Sequence, residues 1–140
     1  MSTETKTTIT VEATVNAPLE KVWKLWTTPE DICKWNNASD DWHTPKAEND
    51  LRAGGKFHSR MEAKDGSMGF DFNGIYSVVV LHNHIAYTME DGRTVDIYFK
   101  ETNGSTEIIE SFEAENENSV ELQQAGWQSI LNNFKKYTES

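Results

Sequence analysis

The spacing of apolar residues changes period twice along these 140 residues, and the order of those changes limits the fold more than any other feature. From Thr8 to Val15 the chain alternates strictly, with Ile9, Val11, Ala13 and Val15 on one side and Thr8, Thr10, Glu12 and Thr14 on the other. A period of two is that of a half-buried β-strand. Pro18 then suits the first turn of a helix, and Leu19, Val22, Trp23, Leu25 and Trp26 recur at spacings of three and four. Thr28-Pro29-Glu30-Asp31 reads as a second helix start, with Thr28 as N-cap, and predicts a short helix ending near Trp35.

Beyond Pro45 turn chemistry punctuates β-branched and aromatic runs. Arg52-Ala53-Gly54-Gly55, Asp65-Gly66, Asn83, Asp91-Gly92 and Asn103-Gly104 mark reversals. Between them Phe57–Ala63, Met68–Leu81, Ile85–Met89, Thr94–Glu101 and Thr106–Ala114 read as strands of an antiparallel meander. The period then returns to that of a helix. Ser119 is placed to cap it, and Val120, Gln123, Trp127, Ile130, Leu131, Phe134 and Tyr137 share a face, while Asn132, Lys135, Lys136 and Glu139 face water. A helix near 20 residues spans about 30 Å, enough to cross the sheet. The order predicts an α+β domain with helices on one face of a curved antiparallel sheet, residues 1–140 forming one unit with a flexible start at residues 1–7.

Charge narrows the choice of partners. Thirteen Lys and Arg against 23 Asp and Glu give a net charge of −10. The basic residues are scattered, so nucleic acid is not an expected partner. No apolar run approaches the ~20 residues needed to span a bilayer, and membrane insertion is not expected. Cys33 has no second cysteine to pair with and the start of the chain lacks a signal-peptide core, which together predict a cytoplasmic protein. A monomer is the expected state.

Five collinear stretches carry a family resemblance: "VNAPLEKVWKLWTTPEDICKW", "DLRAGGKF", "FNGIYSVVVLHNHIAYTMEDG", "TEIIESF" and "AGWQSILNNFKKY". They resemble the activator-of-heat-shock-protein-ninety-ATPase homologue (AHSA-type) family, within the START and pollen-allergen-like helix-grip (SRPBCC) superfamily. The likeness runs from about Ile9 to Tyr137. It implies a seven-stranded sheet gripping the long C-terminal helix, with a cavity between them that serves as the site. It also implies two kinds of partner, a hydrophobic small molecule or a chaperone. The glycines have structural readings: Gly54 and Gly55 for a sharp turn, Gly74 for a bend or bulge, Gly126 for close approach of a neighbour to the helix. None has the spacing of a nucleotide loop.

Inward alternation and the helix stripe select the candidate cavity residues Trp35, Trp42, Phe57, Met61, Met68, Phe70, Phe72, Tyr76, Tyr87, Ile97, Phe99, Gln123, Trp127, Ile130 and Phe134. Aromatic rings and thioethers suit a flat apolar ligand. Gln123, one turn before Trp127, is the polar member whose amide must find a partner, in the protein or on a ligand. Tyr76 and Tyr87 could present hydroxyls in the same way.

Catalytic and metal chemistry is not indicated. His82-Asn83-His84 is an i, i+2 pair without a third ligand nearby, His43 is a candidate for the cavity mouth, and His58 points away from Phe57. Cys33 reads as a structural thiol, and Ser59, Ser67, Ser77 and Ser111 lack a nucleophile elbow. Glu62, Glu90, Asp96 and Glu107 lie on predicted strands, where an inward carboxylate would be a general-acid candidate. No metal and no cofactor is expected. The leading expectation is binding of a lipid, polyketide or flavonoid-like molecule, with a chaperone-interaction module or a cyclase- or hydrolase-like enzyme as alternatives.

Overall fold

A computed structural model describes residues 7–37 and 39–140. The elements are β1 (Thr8–Val15), α1 (Leu19–Thr27), α2 (Pro29–Trp35), β2 (Trp42–Asn49), β3 (Lys56–Ala63), β4 (Gly69–Val80), β5 (His84–Met89), β6 (Thr94–Thr102), β7 (Ser105–Glu113) and α3 (Val120–Glu139). The seven strands form one antiparallel sheet in the order β1-β7-β6-β5-β4-β3-β2. The chain thus takes the α+β, helix-grip-like architecture. Of the expected flexible start, residues 1–6 lie outside the described residues, while the Thr7 carbonyl accepts a 2.8 Å hydrogen bond from the Ala114 amide.

The turns follow from local chemistry. Asn103 and Gly104 both take positive φ (53° and 81°), the pairing a tight β6–β7 hairpin requires. Gly54 sits at φ 84°, and a Cβ at Gly55 would lie 2.1 Å from the Asp50 carbonyl oxygen, so the Gly-Gly pair is obligatory in that turn.

Several local expectations are corrected. Strand β2 carries Pro45 and is not among the runs that read as strands in the sequence. Here β2 is the sheet edge, with a register shift between His43 and Lys46, where a residue without an amide donor is tolerated. Thr28 stands at the α2 N-cap position, but its hydroxyl donates back to the Lys24 carbonyl (2.6 Å) and closes α1 instead of capping α2. The bulge in β4 falls between Tyr76 and Val78, not at Gly74. Gly74 lacks a side chain because the Phe57 ring crosses it, 2.4 Å from where a Cβ would stand. Val120, expected on the buried face of α3, is 41% exposed.

Helix α3 is seated toward one side of the sheet. Ser119 caps it by accepting from the Leu122 amide (3.1 Å). Gln124, Gln128 and Lys135 donate to the carbonyls of Thr10, Glu12 and Thr14 at 3.4, 3.0 and 2.8 Å. Those are free acceptors of edge strand β1, which the helix thereby covers. Leu131 and Phe134 are fully buried, the Asn133 amide donates to the Trp35 carbonyl (2.8 Å), and the Tyr137 hydroxyl donates to Asp31 (2.5 Å). Docked along β1 and against α1 and α2, α3 stands away from β3, β4 and β5 by a layer of large side chains.

Candidate functional site

That offset leaves a cavity of about 400 Å³ between α3 and the far half of the sheet. Its walls come from Phe57, Ser59 and Met61 on β3, Phe70, Phe72 and Tyr76 on β4, Ile85 and Tyr87 on β5, Ile97 on β6 and Glu110 on β7. Helix α3 contributes Leu122, Gln123, Gly126, Trp127 and Ile130, and Trp26, Ile32, Trp35 and Asn36 close the end beneath α1 and α2. Strand residues reach the cavity at alternate positions, as the two-residue period of a strand demands.

The aromatic walls brace one another. Phe57 meets Tyr87 edge-on at 4.7 Å, and Trp127 stacks flat on Phe112 at 3.9 Å with its planes 12° apart. Phe57 reaches Tyr87 because Gly74 lets its ring pass over β4. At the closed end Trp26, Trp35 and Phe134 pack mutually at 4.8–4.9 Å.

Four of the candidate residues lie outside these walls. Phe134 and Phe99 are core, Phe99 packing on Trp23 and Trp26 at 5.3 and 5.7 Å. Trp42 rests against Phe70 at 5.9 Å on the rim side, and Met68 is 66% exposed at the β3–β4 hairpin. The structure brings together the others: Trp35, Phe57, Met61, Phe70, Phe72, Tyr76, Tyr87, Ile97, Gln123, Trp127 and Ile130. Gly126 corrects its reading, since a Cβ there would meet nothing within 4 Å. Its missing side chain widens the cavity and admits no close neighbour.

The polar groups divide into engaged and unengaged ones. Gln123 is engaged: its Oε1 accepts from the Glu115 amide (2.8 Å) and its Nε2 donates to the Asn118 carbonyl (2.9 Å), tying the β7–α3 loop to the helix. The Tyr76 hydroxyl donates to Asn49 Oδ1 (2.5 Å), and burial raises its pKa. Glu110 is unengaged and was not among the candidates. It is 6% exposed, lines the cavity, and its side chain makes no hydrogen bond or ion pair to another described residue. Burial alone pushes its carboxyl up to about 8 from an ordinary 4.5. The signal lay in TEIIESF, where the alternation that buries Thr106, Ile108 and Phe112 must also bury Glu110.

The carboxylates considered from sequence face elsewhere. Glu62 pairs with Arg60 (2.9 Å), Glu90 accepts from Asn73 (2.8 Å), Asp96 bonds His84 (2.8 Å) and Glu107 is exposed. His84 also stacks on Tyr98 at 4.1 Å, and His82 packs edge-on against Trp23. His58 bonds Asp71 at 2.8 Å, and His43 lies 3.9 Å from Glu62, away from the cavity walls. Cys33 is half-buried, and burial followed by the charge of Glu30 raises its thiol pKa, the direction opposite to nucleophile activation.

A family model for "Activator of Hsp90 ATPase homolog 1-like protein" matches residues 16–139. The chain belongs to this family. A solution structure of an AHSA1-like protein from Aeromonas hydrophila is 45% identical, with a TM-score of 0.89 over 95% of this chain and 92% of that one. A solution structure from Cytophaga hutchinsonii is 57% identical, with a TM-score of 0.82 over 94% and 91%. A crystal structure from Chromobacterium violaceum, 22% identical, shares the fold with a TM-score of 0.85 over 95% and 97%. Among curated proteins none matches. These neighbours place the chain with AHSA1-like proteins of the SRPBCC type. Among the described residues no helix is long and apolar enough to cross a membrane.

Proposed function

We propose that the protein binds a hydrophobic or aromatic small molecule, of lipid, polyketide or flavonoid-like character, in the cavity between the sheet and α3. The observation that carries this reading is an aromatic-walled space of about 400 Å³. That is a volume typical of small-molecule sites. The space persists because α3 is fastened to β1 on one side and to α2 on the other, so the helix cannot settle onto β3–β5 to close it. A lone half-buried thiol fits work in a reducing cytoplasm.

Thermal shift and two-dimensional NMR against fatty acids, sterols, flavonoids and polyketides test the proposal. Binding moves resonances of Trp127, Phe72 and Tyr87 together and raises the melting temperature. If no apolar ligand changes either readout or the Trp fluorescence, the cavity is not a ligand site. The family's name supports a second reading, a domain that docks on a chaperone ATPase. Stoichiometric recovery of that chaperone, unaffected by substitutions inside the cavity, would put the second reading first.

A further inference from the structure

We propose that Glu110 and Tyr87 form a pair of hydrogen-bond donors on the cavity wall that selects ligands carrying a ketone-type carbonyl oxygen on a flat apolar frame. The inference rests on the cavity being the ligand site and names what that site recognises. Glu110 pairs in register with Ile97, and Ile97 with Ile85, while Tyr87 lies two residues along the same face of β5. The two side chains therefore stand diagonally across three adjacent strands, on the sheet face that lines the cavity. Each is more than nine-tenths buried, each lines the cavity, and neither side chain makes a hydrogen bond or ion pair to another described residue.

Polar groups this deeply buried need hydrogen-bond partners, and two that line one cavity can find them in a ligand's polar atom. Ser59, across the cavity on β3, is likewise buried and lines the same space.

The protonation state fixes the ligand's chemistry. Burial holds the Glu110 carboxyl neutral below about pH 8 and the Tyr87 phenol neutral well above its ordinary range. The other titratable groups lining the cavity are Tyr76, Arg93 and Glu115. Tyr76 is bonded to Asn49, Arg93 to Asp91 and the Glu113 carbonyl, and Glu115 to Asn118. Among the described residues Arg93 is the cation lining the cavity, it is held by Asp91 and the Glu113 carbonyl, and burial is the cause of the Glu110 shift. A neutral carboxyl and a phenol both offer an O–H, and a carbonyl oxygen has two lone pairs to receive them. An ammonium ligand would first have to ionise the carboxyl in an apolar setting.

The test uses three planar probes of one shape: 9-fluorenone, fluorene and 9-aminofluorene, titrated by Trp fluorescence from pH 6 to 9.5. Wild type should bind the ketone about five- to tenfold more tightly than the hydrocarbon. That preference should be level up to about pH 8 and decline beyond it. Glu110→Gln keeps a donor and should keep the preference while abolishing its pH dependence. Glu110→Leu should lose most of the preference, and Glu110→Leu combined with Tyr87→Phe should bind ketone and hydrocarbon equally, with thermal melts confirming that all three variants fold. Equal binding of ketone and hydrocarbon by wild type would overturn the carbonyl assignment and leave the cavity reading standing. Tightest binding of the amine, strengthening toward pH 8, would overturn it by making Glu110 a counter-ion. If wild type binds none of the three, the cavity reading fails and this inference with it.

Discussion

Glu110 is a residue whose placement lowers stability at neutral pH. Its folded-state pKa, about 8, lies above the ordinary 4.5 of the unfolded chain, so the folded state holds the proton more tightly. The stability this contributes is complete below pH 4.5 and is lost as the pH rises through about 8. At up to ~1.4 kcal/mol per pH unit, roughly 3 kcal/mol has gone by pH 7. Glu110→Gln, neutral throughout, should therefore be more stable than wild type by that order at pH 7 and equal to it near pH 4.5. Urea unfolding of both proteins at several pH values checks this; parallel pH profiles would mean that the carboxyl is solvated in the folded state. Gln123 works in the opposite sense. Gln123→Leu frees the Glu115 amide and the Asn118 carbonyl and should cost about 2 kcal/mol. Hydrogen exchange at the Glu115 amide should accelerate as the loop loosens.

At the scale of elements, two glycines with opposite surroundings make a paired prediction. Gly126 lies in α3 with open space where a Cβ would point, so Gly126→Ala should stabilise by up to ~1 kcal/mol through helix propensity. Gly74→Ala would drive a methyl into the Phe57 ring and against the Thr88 carbonyl, and should destabilise by about 1–3 kcal/mol. Denaturation midpoints of the two variants should move in opposite directions. These glycines also show what was legible. Strands β1 and β3–β7 and all three helices could be read from period and turn residues, because those signals are local. Strand β2 could not, since Pro45 is tolerated only because of where β2 lies in the sheet order. Gly126 reads the same in sequence whether it admits a neighbour or opens a void; the position of α3 decides, and the contacts with β1 and α2 that set it are long-range.

For the whole molecule, the inward face of the sheet was largely legible, but alternation gives the side a residue faces and not what it meets there. Phe99 and Phe134 have the same pattern as Phe57 and Trp127, yet they fill core where α1, α2 and α3 converge. The boundary between core and cavity is set by how far α3 leans toward β1. If that lean leaves a true void, occupying it from within should reproduce what closure would do. Gly126→Leu projects a side chain into the open space without displacing backbone, and the protein should keep its melting temperature within a few degrees. A cavity ligand at 100 times its dissociation constant should raise wild-type stability by about 2.7 kcal/mol, several degrees in melting temperature. The Gly126→Leu protein should lose most of that rise while Gly126→Ala keeps it. An undiminished rise in Gly126→Leu would put the ligand elsewhere on the protein, because a leucine at that position and a ligand in the cavity beside Trp127 compete for one volume.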